Sequence, residues 1–208
     1  MQSVYSMTPE QKNSLNLAVD QFNRVFGNDL DLVRQAAIEH HVNLTQGNTI
    51  QLPTPGAYNL RVPQNSSIEL DALTHGKKLL VACMDYRQSA QVVTVTEPNA
   101  FLLMAGGATQ PDLERLNTLV DFLYVVHQVN PHITLILLAH NKICGGNNHF
   151  TKGAVQNMSP SDEINFLTAK LHKTSELLTN LTVPVTSIKL GIAKINSNNQ
   201  YTGIQYLQ

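Results

Sequence analysis

Apolar residues follow two different rhythms along this chain, and the change near Lys77 separates an N-terminal arm from a core. In the arm, Thr8-Pro9-Glu10-Gln11 combines an N-cap, a proline at the first helical position and a glutamine able to close a capping box. Leu15, Ala18, Val19, Phe22, Val25 and Phe26 then fall on one face, so a helix is expected up to Gly27. A second helix is expected from Asn28 or Asp29, burying Leu32, Val33, Ala36 and Ala37. The stretch onward to about Ser67 is rich in Asn, Gln, Thr and Pro and has too few large apolar residues for a core of its own. Residues 1–70 therefore read as an arm that wraps the core or a partner subunit.

From residue 77 to 208 strands and helices alternate. Leu79-Leu80-Val81-Ala82, Phe101-Leu102-Leu103-Met104 and the run from Ile133 to Ala139 are continuously apolar, as strands covered on both faces are. Between Pro111 and Asn130, Leu113, Leu116, Leu119, Val120, Leu123 and Val126 recur at helical spacing, and Asn130-Pro131 ends that helix. Ser159-Pro160-Ser161-Asp162-Glu163 opens another, carrying Ile164, Leu167, Leu171, Leu177 and Leu178. A fourth strand is expected over Val183 to Ile195, then a turn at Asn196 to Asn199 and a last strand from Tyr201 to Leu207. The order predicts a single α/β domain: a mainly parallel central sheet with helices on both faces, an N-terminal helical arm and a C-terminal β-hairpin.

Composition narrows the function. The 208 residues carry a formal net charge of −1, and no basic run interleaved with aromatics occurs, which gives no support to a nucleic-acid or anionic-membrane surface. A small ligand suits the chain better. The start Met1-Gln2-Ser3-Val4-Tyr5 lacks the pattern of a secretory signal, and no apolar stretch is long enough to span a bilayer, so a cytoplasmic protein is expected. There the two cysteines, Cys83 and Cys144, stay reduced, and a metal site is a better reading than a disulfide.

Both cysteines follow buried strands, and in a parallel sheet the residues just past the carboxyl ends share one crevice. Cys83, His140 and Cys144 would then supply two thiolates and an imidazole, the ligand set that zinc favours, leaving a fourth position open for chemistry. Asp85 lies two residues past Cys83, and Arg87 two further on, so the arginine can hold the carboxylate as an oriented acceptor. Plainer readings exist. Cys83 alone would be a small core residue, Asp85 and Arg87 an ion pair at a strand end, and Gly106-Gly107 a tight turn. His127 and His132 read as structural.

Cys83-Met84-Asp85-Tyr86-Arg87 after the first core strand, Ala105-Gly106-Gly107 after the second and His140 with Cys144-Gly145 after the third resemble the β-class carbonic anhydrases, most closely their short-chain subgroup. The likeness covers about Lys77 to Gly146. It implies zinc held by Cys83, His140 and Cys144, an Asp85–Arg87 dyad that accepts a hydrogen bond from the zinc-bound water, and a substrate pocket beside Gly106 and Gly107. It also implies carbon dioxide and bicarbonate as substrate and product, in a homodimer or dimer of dimers with N-terminal helices at the interface. Three departures stand out: His140 and Cys144 are one residue further apart than the family's His-x-x-Cys, Leu103-Met104 replaces a common Arg-Asn, and Tyr86 replaces a small residue. His149 is a substitute ligand should the longer loop not deliver Cys144. The alternatives are a zinc-binding pseudoenzyme or interaction protein of the same fold, a zinc hydrolase of carbonyl sulfide or carbon disulfide, and a metal-free cysteine hydrolase.

Overall fold

A computed structural model describes residues 7–26, 78–83, 100–105, 113–144, 147–148, 151–198 and 200–208. The second helix expected from Asn28 or Asp29 and the stretch to Ser67 lie outside them. Helix α1 spans Pro9–Phe26, and its capping box forms as the sequence requires: Thr8 N–H donates to Gln11 Oε1 at 2.9 Å and Gln11 N–H to Thr8 Oγ1 at 3.2 Å. Strands β1 (Lys78–Cys83) and β2 (Ala100–Ala105) follow, then α2 (Leu113–Val129), β3 (Thr134–His140), α3 (Pro160–Asn180), β4 (Ser187–Ile195) and β5 (Tyr201–Tyr206). No helix among the described residues is long and apolar enough to cross a membrane.

The sheet runs β2-β1-β3-β4-β5; the first four strands are parallel and β5 is antiparallel to β4. This is the α/β architecture with C-terminal hairpin that the pattern predicts. Passing from β2 over β1 to β3, and from β3 to β4, the chain steps twice in the same direction. Right-handed crossovers therefore put α2 and α3 on one face. The core agrees: Leu79 and Val81 of β1, Leu135 and Leu137 of β3, and Leu190 and Ile192 of β4 join one cluster with Leu119 and Leu123 of α2 and Leu167 and Leu171 of α3. Leu15 of α1 completes it, so the first helix of the arm docks on this chain's own core, along α2. The alternate strand residues Leu80, Ala82, Ile136, Leu138 and Ala193 are buried too, which is why the runs are apolar throughout. Among the described residues the three long helices share one face.

Two expectations need correction. The fourth strand begins at Ser187, not Val183. Thr182 turns the chain with φ 51°, and Val183 and Val185 pack against the core, so their apolar character serves cover and not strand pairing. On α3 the inward stripe is Leu167, Leu171, Thr174 and Leu178, which leaves Leu177 37% exposed. A stripe advancing by four and three residues passes through 178 and turns 177 outward. α2 ends as expected, with Asn130 Oδ1 accepting the His132 N–H at 3.0 Å across Pro131. His127 and His132 are exposed.

Candidate metal centre

β1 ends at Cys83 and β3 at His140, and the register that pairs Ala82 with Leu138 sets both ends at the carboxyl edge of neighbouring strands. Cys144 returns to the same place four residues later. The ligand atoms of Cys83, His140 and Cys144 all lie within 4.8 Å of one another, and all three residues are buried. The two sulfurs are 3.4 Å apart and unbonded, far beyond the roughly 2.05 Å of a disulfide.

The imidazole is oriented by its neighbour. His140 Nδ1 lies 2.8 Å from the Asn141 carbonyl, which can only accept, so Nδ1 carries the hydrogen and the ligating lone pair is on Nε2. Asn141 is fixed in turn by β4: its Oδ1 accepts the Ile195 N–H at 2.6 Å and its Nδ2 donates to the Ile195 carbonyl at 3.2 Å. One side-chain amide thus extends the β3–β4 pairing by a residue. Beyond it, Lys142 and Ile143 both adopt left-handed backbone, with φ of 64° and 57°. Glu163, near the start of α3, accepts the Lys142 N–H at 3.0 Å and the Ile143 N–H at 2.6 Å. That turn brings Cys144 to the other two groups. Past it, Asn147 N–H points at Cys144 Sγ at 3.5 Å, and Asn148 N–H closes a helical turn on the Cys144 carbonyl at 2.8 Å.

Electrostatics favour a cation among these groups. The hydrogen bond shared with Cys144, then burial and the Cys144 charge, push the Cys83 thiol well above its ordinary range, opposed by His140. Two thiolates this close, withdrawn from water, are stable together only with positive charge between them. Tetrahedral zinc would place its sulfurs about 3.8 Å apart, so the sulfur pair at 3.4 Å fits after an opening of roughly 0.4 Å. The donor set, two sulfurs and one nitrogen, suits zinc.

Of the residues singled out from sequence, Cys83, His140 and Cys144 come together. Asp85, Arg87, Gly106, Gly107 and the substitute ligand His149 lie outside the described residues. Glu163 and Asn141 escaped the sequence reading. Glu163 registers in the sequence only as an acidic residue opening a helix, and Asn141 does not stand out at all. No protein-family model matches the chain, and comparison with curated proteins and with solved structures finds no match. The likeness to carbonic anhydrases therefore rests on this chain's own residues.

Proposed function

We propose that this chain catalyses the zinc-dependent, reversible hydration of carbon dioxide to bicarbonate. The observation that carries the reading is the convergence of two cysteines and one histidine at the carboxyl edge of a parallel sheet, with Cys83 heading the sequence Cys83-x-Asp85-x-Arg87. Zinc in such a site supplies a Lewis acid that brings the pKa of water to about 7, making hydroxide available at neutral pH. Cys83, His140 and Cys144 would hold the ion, and the Asn141 carbonyl keeps the His140 ring in the tautomer that puts its ligating lone pair on Nε2. On this reading Asp85 would orient the attacking water by accepting its hydrogen bond, and Arg87 would hold the carboxylate. The same reading assigns Gly106 and Gly107 to the substrate pocket. A homodimer or dimer of dimers is the proposed assembly, and a cytoplasmic setting accords with cysteines required as thiolates.

Stopped-flow hydration of carbon dioxide by the zinc-loaded chain, with Cys83→Ser and Asp85→Asn beside it, tests the proposal. The expected result is hydration above the buffer rate that both substitutions depress. Stoichiometric zinc without hydration would identify a binding protein that keeps the centre but not the reaction. Turnover of carbonyl sulfide or carbon disulfide alone would redirect the assignment to those substrates.

A further inference from the structure

We infer that Glu163 is the positioning residue that makes Cys144 a metal ligand, an inference that rests on the three-residue metal centre and names what assembles it. The chain has four residues in which to leave β3 at His140, reverse, and present a thiol to Cys83. It does so through two successive left-handed residues, Lys142 at φ 64° and Ile143 at φ 57°. Neither is glycine, and Ile143 is branched at Cβ, the side-chain type that tolerates this region least. Such backbone persists only where its surroundings over-determine it.

Glu163 provides that determination. It is 6% exposed, and each carboxylate oxygen takes one of the two N–H groups of the left-handed pair, Oε2 from Lys142 and Oε1 from Ile143. These are charge-assisted hydrogen bonds, and the N-terminal end of α3 adds a favourable dipole for the buried carboxylate. On the other side Asn141 fastens the loop to Ile195 of β4. The turn is thus held between α3 and β4, and its product is the 3.4 Å separation of Cys83 and Cys144. Glu163 acts through the loop backbone, not through the ligand atoms.

The test uses the full chain loaded with cobalt(II), whose sulfur-to-metal charge-transfer absorbance counts thiolate ligands. Glu163→Ala is expected to lower that absorbance per bound cobalt by about half, because one of two thiolates is lost, and to weaken metal binding about 10- to 100-fold. Glu163→Gln keeps one acceptor oxygen and should fall between this variant and the parent. Leu178→Ala, a core truncation on the same helix, should lower Tm and leave the absorbance per cobalt unchanged. Full charge-transfer absorbance and parental affinity in Glu163→Ala, or in Glu163→Gln should the alanine variant not fold, would overturn the inference, as would an equal spectral loss in Leu178→Ala. If the parent takes up no cobalt, the metal reading fails separately, and thiol proximity decides. Diamide, which accepts the two thiol hydrogens, should then join Cys83 to Cys144 faster in the parent than in Glu163→Gln, and equal rates would refute the role of Glu163.

Discussion

The sulfur atoms of Cys83 and Cys144 stand 3.4 Å apart across 61 positions of sequence, inside the protein and with no disulfide between them. A buried thiol pair is awkward on its own, since the Cys144 thiol and burial together oppose ionisation of Cys83. With His140 alongside, the arrangement makes physical sense as a ligand set, and each consequence below follows from that or from the packing that supports it.

Removal of the metal should destabilise the fold. A bound ion present at a thousand times its dissociation constant adds about 4 kcal/mol, and in a domain of this size each kcal/mol moves Tm by roughly 2–4 °C. Chelation is expected to lower Tm by on the order of 10 °C, and Cys144→Ser should abolish the difference between zinc-loaded and chelated samples. Scanning calorimetry with and without chelator measures both, and a Tm indifferent to chelation would count against a metal centre at these residues.

In the metal-free protein the stability contributed by Cys83 should fall at alkaline pH. Its thiol is held well above the ordinary 9.0, first by the Cys144 hydrogen bond and then by burial. From about pH 9 upward the unfolded chain releases this proton while the folded chain keeps it, so the folded state binds more protons and stability drops as pH rises. The slope of Tm between pH 8.5 and about 10 should be shallower in Cys83→Ala than in the parent, both stripped of metal. Identical slopes would contradict the burial and pairing described for Cys83.

Much of this fold is legible in the sequence because its causes are local. Thr8 and Gln11 cap α1, Ser159 accepts the Asp162 N–H at the start of α3, and the short continuous runs at Leu79 and Leu135 suit strands covered on both sides, which they form. The convergence of Cys83 and His140 is legible for a related reason, since parallel strands deliver their carboxyl ends to one edge. What escapes is the long-range arithmetic of the loop. Nothing in Asn141-Lys142-Ile143 announces left-handed backbone, which isoleucine disfavours, and nothing in the helical pattern of α3 says that Glu163 turns toward a loop and not toward water. The misjudged start of β4 has the same origin: Val183 and Val185 are apolar because they cover the core, a role that periodicity cannot distinguish from strand pairing.

Asn141→Ala should cost stability and metal affinity together. The substitution leaves the Ile195 N–H and carbonyl without the side-chain amide that pairs both, a loss of about 2 kcal/mol. Urea unfolding is expected to show a lower midpoint with an unchanged slope, and zinc titration a weaker dissociation constant. A variant as stable as the parent would show that this clamp is dispensable.

Gly191→Ala tests the packing between β3 and the hairpin. A Cβ at this position would meet Ile204 Cγ2 and Leu138 Cδ2, each at 2.8 Å, closer than carbon atoms tolerate. The expected cost is about 1–3 kcal/mol, read as a fall in the urea midpoint. Pairing the substitution with Ile204→Ala should recover part of the loss, whereas strictly additive costs would show that the two positions do not clash.

X-ray absorption at the zinc edge of the loaded protein bears most directly on the central claim, that Cys83, His140 and Cys144 together hold one zinc ion. The account predicts one zinc per chain with two sulfur neighbours at about 2.3 Å and nitrogen or oxygen neighbours at about 2.0 Å, reduced to one sulfur in Cys144→Ser. A zinc shell without sulfur, or one unchanged by Cys144→Ser, would contradict it.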